Sequence, residues 1–263
     1  MTGAEFWIYL QQKFDKAYST YLDNTKANRL IAESMQRLVD KLWRKQSMEV
    51  DADEMAPFMV KGQSVTPVSG VVKLSSLLPN YMHVMYMTAE YRVPFTVTAV
   101  SGTKLTAANH KLRKGDTVRQ GSTNYTVTWV KGDQFDLGTL SLPTGSYSRV
   151  VVRDVSQYQS DRKGSPFHKA SVANPYFDFE NDGSSSPRSF KIHPATDLVS
   201  VTIDYIRTAP HIIDVADNTT SLLDFYSRKF LYRLMDECVL NFGAQTRDPM
   251  VRQMAAQDIV DNP

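Results

Sequence analysis

The chain has 263 residues, one cysteine, and 30 Lys and Arg against 28 Asp and Glu. That length buries a core without staples, the lone Cys238 excludes an internal disulfide, and a net charge of +2 excludes a strong chain-wide field for phosphate or lipid. No basic start leads into an apolar run, and nothing approaches the roughly 18 apolar residues of a spanning helix, so the expectation is a chain without export or membrane, in a reducing compartment.

The N-terminus reads as a helical hairpin. Trp7, Leu10, Phe14, Ala17 and Tyr21 recur at three- and four-residue intervals, which sets them on one helix face. Asp23, Asn24 and Thr25 break the pattern with side chains that favour turns and caps. Ile31, Met35, Leu38 and Leu42, with Trp43 beside them, start a second stripe, and so short a connection predicts antiparallel neighbours. The acidic run Asp51-Ala52-Asp53-Glu54 lacks the glycine and spaced oxygens of a calcium loop and reads as a solvated linker.

From Met55 the pattern changes to strands. Val93-Pro94-Phe95-Thr96-Val97 is β-branched and punctuated by Pro, and Gly-Asp pairs recur at Gly115-Asp116 and Gly132-Asp133. Short alternating runs between them predict a small β-barrel or sandwich over about 91–158, inserted in a larger β-rich region, 51–210. Asn181-Asp182-Gly183 reads as a turn. Val199, Val201, Ile203 and Tyr205 then alternate as one face of a long half-buried strand.

Helix returns at the C-terminus. Ser221 and Asp224 form a capping-box variant before a wide apolar face through Leu223, Tyr226, Phe230, Leu234 and Cys238. Gly243 is placed for a left-handed cap, and Asp248-Pro249 opens a last predicted helix through Val251, Met254, Ala255 and Ile259. The predicted fold class is α+β. N- and C-terminal helical hairpins, 1–50 with 211–263, close one four-helix bundle, and a large β-rich insertion with its small barrel projects from it.

Chemistry leaves little trace. His83, His110, His168, His193 and His211 are dispersed, with no paired Cys, and the glycines stand in separate turns without forming a phosphate-cradling loop. No nucleophile elbow is present. The expectation is no catalytic residue, no cofactor and no metal, hence no enzyme. One cluster invites binding: Lys104, His110, Lys111, Arg113, Lys114 and Arg119 surround the predicted barrel, with Tyr125 and Trp129 close by. Small barrels bind nucleic acid through basic rims and aromatics, which makes Lys111, Arg113 and Lys114 candidate nucleic-acid contacts. The plainer reading places Tyr125, Val127 and Trp129 on one inward strand face, with the cations solubilising a turn.

Asn174-Pro175-Tyr176 and the strand Val201-Thr202-Ile203-Asp204-Tyr205-Ile206-Arg207, ending at Ala209-Pro210, come after an opening helical segment from Glu5-Phe6 to Trp43. In these motifs and their order the chain resembles the ring proteins of the neck and tail barrel of crAss-like bacteriophages, over about half its length. The central barrel departs from the pattern. The resemblance implies a structural virion protein, an adaptor in the head-to-tail connector or tail barrel. It implies a homo-oligomeric ring, twelvefold in the family, stacked below the portal and beside neighbouring ring and tail proteins around the DNA channel. It implies a virion location after assembly in the host cytoplasm, proximity to genomic DNA in the lumen, and no catalytic residues. The alternative function is a nucleic-acid-binding module built on the small basic barrel.

Overall fold

The computed structural model describes residues 1–14, 22–44, 52–73, 81–139, 142–157, 170–180 and 189–246. The chain divides into two compact units, Met1–Met59 with Arg207–Pro263, and Val60–Ile206.

In the first unit three helices pack: α1 (Gly3–Lys13), α2 (Asn24–Arg44) and α3 (Arg228–Thr246). A reciprocal capping box starts α1, with Thr2 Oγ1 accepting the Glu5 N–H at 3.2 Å and the Glu5 carboxylate accepting the Thr2 N–H at 2.9 Å. Asp23 caps α2 through the Lys26 N–H at 2.8 Å. α2 buries Leu30, Ile31, Met35, Leu38, Val39 and Leu42. α3 answers with Phe230, Leu231, Leu234, Met235 and Cys238, so it is apolar on more than one side. Cys238 is a buried free thiol.

The expected four-helix bundle of two hairpins does not form. Among the described residues only three helices exceed two turns, and most regular structure is strand. α1 and α2 each pack on α3. The stripe of α1 that turns inward is Gly3, Phe6 and Leu10, continued by Phe14 against Phe242 at 5.0 Å. Trp7, one residue out of phase, is half-buried. Ser221 makes no capping bond. Leu222–Asp224 is a single 3-10 turn, and the cap of α3 is Ser227, whose hydroxyl accepts the Phe230 N–H at 3.1 Å. α3 runs on through Gly243, so no left-handed cap ends it there. Ala17, Tyr21, the turn expected at Asn181-Asp182-Gly183 and the helix expected from Asp248 to Ile259 lie outside the described residues.

The segment expected as a solvated linker contributes a buried charge. Glu54, 1% exposed, meets Arg233 at 2.8 Å and Lys229 at 3.6 Å. Phe58 follows it into an aromatic cluster, 5.8 Å from Tyr226 and 5.0 Å from Phe230, and Arg207 donates to the Pro57 carbonyl at 3.1 Å. These contacts explain why the helical unit extends to Met59 on one side and begins again at Arg207 on the other.

The second unit is built on one long strand. A six-stranded sheet has the order β1-β14-β3-β10-β6-β7, with β1 (Met59–Val65), β3 (Tyr81–Val97), β6 (Thr117–Gln120), β7 (Thr123–Thr126), β10 (Gly145–Asp154) and β14 (Leu198–Arg207). β3 and β10 pair antiparallel from Thr88↔Asp154 to Val97↔Gly145. The first half of this ribbon packs on a second sheet, β11-β12-β13-β2, of β11 (Ser156–Gln157), β12 (Tyr176–Glu180), β13 (Ser189–His193) and β2 (Val71–Lys73). Met87, Tyr91, Val201, Ile203 and Tyr205 meet Val72, Phe177, Phe190 and Ile192 there. The other half packs on a third sheet, β4-β5-β9-β8, of β4 (Ala99–Ser101), β5 (Lys104–Thr106), β9 (Gln134–Asp136) and β8 (Trp129–Lys131), around Val97, Leu105, Val118, Phe135 and Tyr147.

Arg149 marks the change of partner. It follows Tyr147 and precedes Val151 on the same inward face, and its Nε lies 3.2 Å from Asp116 Oδ2. Pro94 is tolerated inside β3 for a related reason. The Arg92 N–H reaches Asp197 O, at the end of β14, at 2.8 Å. Two residues on, the Pro94 nitrogen faces the same side, where β14 has ended and no donor is needed.

Candidate functional site

The three residues predicted to touch nucleic acid, Lys111, Arg113 and Lys114, are all exposed and share the loop between β5 and β6. The rest of the predicted cluster has other work. His110 is buried, its Nδ1 accepting the Leu112 N–H at 2.9 Å while its Nε2 lies 3.0 Å from Gly132 O. Those two bonds put the ring proton on Nε2, and a 5.2 Å contact with Phe135 completes a structural anchor for the loop. Arg119 Nε donates to Gly121 O within its own hairpin. Asp116 Oδ2 accepts the Arg113 N–H at 2.8 Å, which holds the loop's turn.

The inward face expected for Tyr125, Val127 and Trp129 does not exist as one strand. Tyr125 lies in β7 of the six-stranded sheet and Trp129 in β8 of the third sheet. The chain crosses between sheets at Val127 and Thr128, where the Val127 N–H bonds Asp116 O and the Thr128 N–H bonds Asp136 O. Val127 is buried, but Trp129 turns outward, 37% exposed. Strand register places Trp129, Asp136 and Lys104 side by side on the outer face. Lys104 Nζ lies 5.3 Å from the Trp129 ring centroid, a cation–π contact that occupies a face a stacked base would need. Residues 99–144 carry six Lys and Arg against three Asp, so this module holds the chain's positive surplus.

A second surface lies on the helical unit. Glu5, Ile8, Tyr9 and Gln12 stand at i, i+3, i+4 and i+7, the face of α1 opposite its buried stripe. With Leu223, Arg228 and Tyr232 they line a groove of about 440 Å³. Its apolar walls are open to solvent, Ile8 at 54%, Tyr9 and Tyr232 at 49% and Leu223 at 39%. Four large apolar side chains around one depression are more than scattered surface hydrophobicity. The signal was present in the sequence: Ile8 and Tyr9 fall outside the buried stripe of α1 yet are apolar.

The groove is poorly furnished for chemistry. Its one carboxylate, Glu5, is held below the usual carboxylate range by the Thr2 N–H and the amino group of Met1, and no second acid is among its lining residues. Among the described residues no group of three His, Cys, Asp or Glu is placed to hold a metal ion, and no helix is long and apolar enough to cross a membrane. His193 lies 3.6 Å from Asp178 in the β unit, and His211 stacks on Phe225 at 4.4 Å; neither is among the residues that line this groove. No protein-family model matches the chain, and no curated protein matches it.

Proposed function

We propose that the chain is a structural subunit without catalytic activity, a ring or adaptor component of a phage head-to-tail connector or tail barrel, working by assembly with copies of itself and with neighbouring ring proteins. The observation that carries this reading is the open groove between α1 and α3 with four exposed large apolar side chains around it, which suits a surface completed by another protein. The order of the motifs from Glu5 to Pro210 supplies the rest. Neighbours in a cyclic ring meet through two different surfaces, and each subunit here has two units to offer them. Co-expression with a portal and candidate neighbouring ring proteins, followed by mass measurement and electron microscopy, tests the reading. Closed rings are expected, and a chain that stays monomeric in every combination sinks it.

The exposed Lys111, Arg113 and Lys114 favour a second reading, a module that follows a nucleic-acid backbone. Lys104 over Trp129 opposes base stacking, so the contact would be electrostatic. Replacing the three cations with Ala is expected to flatten the salt dependence of DNA affinity. An unchanged slope removes this reading.

A further inference from the structure

The groove between α1 and α3 has a definite charge pattern. The opening of α3 carries Arg228, Lys229 and Arg233 and no acid in its first turn, although positive side chains there oppose the helix dipole. Glu54 answers two of them, Arg233 at 2.8 Å and Lys229 at 3.6 Å. Arg228, exposed at the groove, has no ion-pair partner among the described residues. The groove's own acid does not serve it, because the Glu5 carboxylate bonds the Thr2 N–H and lies 3.5 Å from the terminal amine. The surface therefore offers exposed apolar side chains from α1, the 3-10 turn and α3 among polar ones, and one cation, Arg228, without an ion-pair partner among the described residues.

We infer that this groove receives an amphipathic helical segment of another protein, bearing two apolar side chains about one turn apart and a carboxylate beside them. The apolar pair lies between Ile8 and Tyr9 on one wall and Leu223 and Tyr232 on the other. The carboxylate pairs with Arg228 and also faces the positive end of α3. Grooves between helices take such segments through anchors at i, i+3 or i+4 spacing. Acid beside the anchors, and not base, is the selective element, because a like charge against Arg228 is penalised more than a missing contact. The inference rests on the reading of the chain as an assembly subunit and narrows it to one surface and one chemistry.

The test uses the full chain and two labelled peptides of roughly 14 residues, about four helical turns. Both carry Leu at three- and four-residue spacing, one flanked by Glu and the other by Lys, with blocked ends, and binding is read by fluorescence anisotropy. The acidic peptide is expected to bind at least about tenfold more tightly, a difference of about 1.4 kcal/mol. Arg228→Glu should reverse the preference, and Ile8→Asp should weaken both peptides. Both positions are exposed, so unchanged far-UV circular dichroism is expected to confirm that the variants fold. Equal binding of the two peptides, or a preference that survives Arg228→Glu, overturns the proposal. So does concentration-dependent self-association that Ile8→Asp abolishes, since the occupant is then a second copy. Rings that form while the two peptides bind equally would end this proposal and spare the assembly reading. Peptide binding without rings would do the reverse.

Discussion

At the scale of single residues, two positions show how close packing fixes the helical unit. A Cβ added to Gly3 would stand 1.9 Å from the Asp214 carbonyl oxygen, so the first turn of α1 can approach that turn only as glycine. Glu54 is nearly inaccessible, and a buried carboxylate is tolerated only when its charge is answered. Arg233 answers it at hydrogen-bonding distance, while Lys229 stands farther off. Because the Arg233 side chain remains 36% exposed, its loss should cost less than breaking a fully buried pair. Arg233→Ala is expected to destabilise the fold by about 2 kcal/mol, measured by urea unfolding. Adding Glu54→Gln should recover part of that loss, because no uncompensated charge is then left inside. Additive losses would show that the pair is not the source of the effect.

At the scale of elements, what could be read in the sequence depended on whether the pattern was local. The stripe of α2 and the inward Val201, Ile203 and Tyr205 of β14 follow from periodicity alone and are buried, whereas Val199, expected on the same face, is only half-buried near the start of the strand. α3 starts later than the spacing predicts because Ser221 and Ser227 both precede apolar runs. Ser227 captures the Phe230 N–H, whereas Leu222–Asp224 closes as a separate 3-10 turn against the Met1 carbonyl. Nothing near Ser221 in sequence reveals a partner more than two hundred residues away. The run from Tyr125 to Val130 failed for a different reason. Its alternation is real, but the chain changes sheets in the middle, so Trp129 points outward although its spacing from Val127 suggests a shared face. The cationic loop was legible as a loop, and the burial of His110 was not, since only the Gly132 carbonyl and Phe135 from a distant turn and strand explain it. The groove stayed hidden because it needs α1, the 3-10 turn and α3 together.

At the scale of the whole molecule, the two units should respond differently to alkali. Burial raises the Cys238 thiol from 9 to about 12 and the Tyr226 hydroxyl from 10 to about 12, both in the helical unit. In the β unit burial likewise raises Tyr91 from 10 to about 12, and its hydroxyl has no hydrogen-bond partner among the described residues. Each group holds its proton in the fold to a higher pH than in the unfolded chain. The unfolded state therefore ionises first, and stability present below the unfolded value is lost as pH rises toward about 12. Burial raises Tyr147 in the β unit as well, so what sets the helical unit apart is its thiol, which begins to titrate in the unfolded chain near pH 9, below the tyrosines near 10. Its resistance to urea should fall first, with helical ellipticity lost at lower denaturant than strand signal once the pH passes that point. Cys238→Ala should delay the onset to the tyrosine range, with the cavity left by the sulfur lowering stability equally at all pH values. A single transition that keeps its midpoint from pH 8 to pH 11 would contradict the assignment of these buried groups.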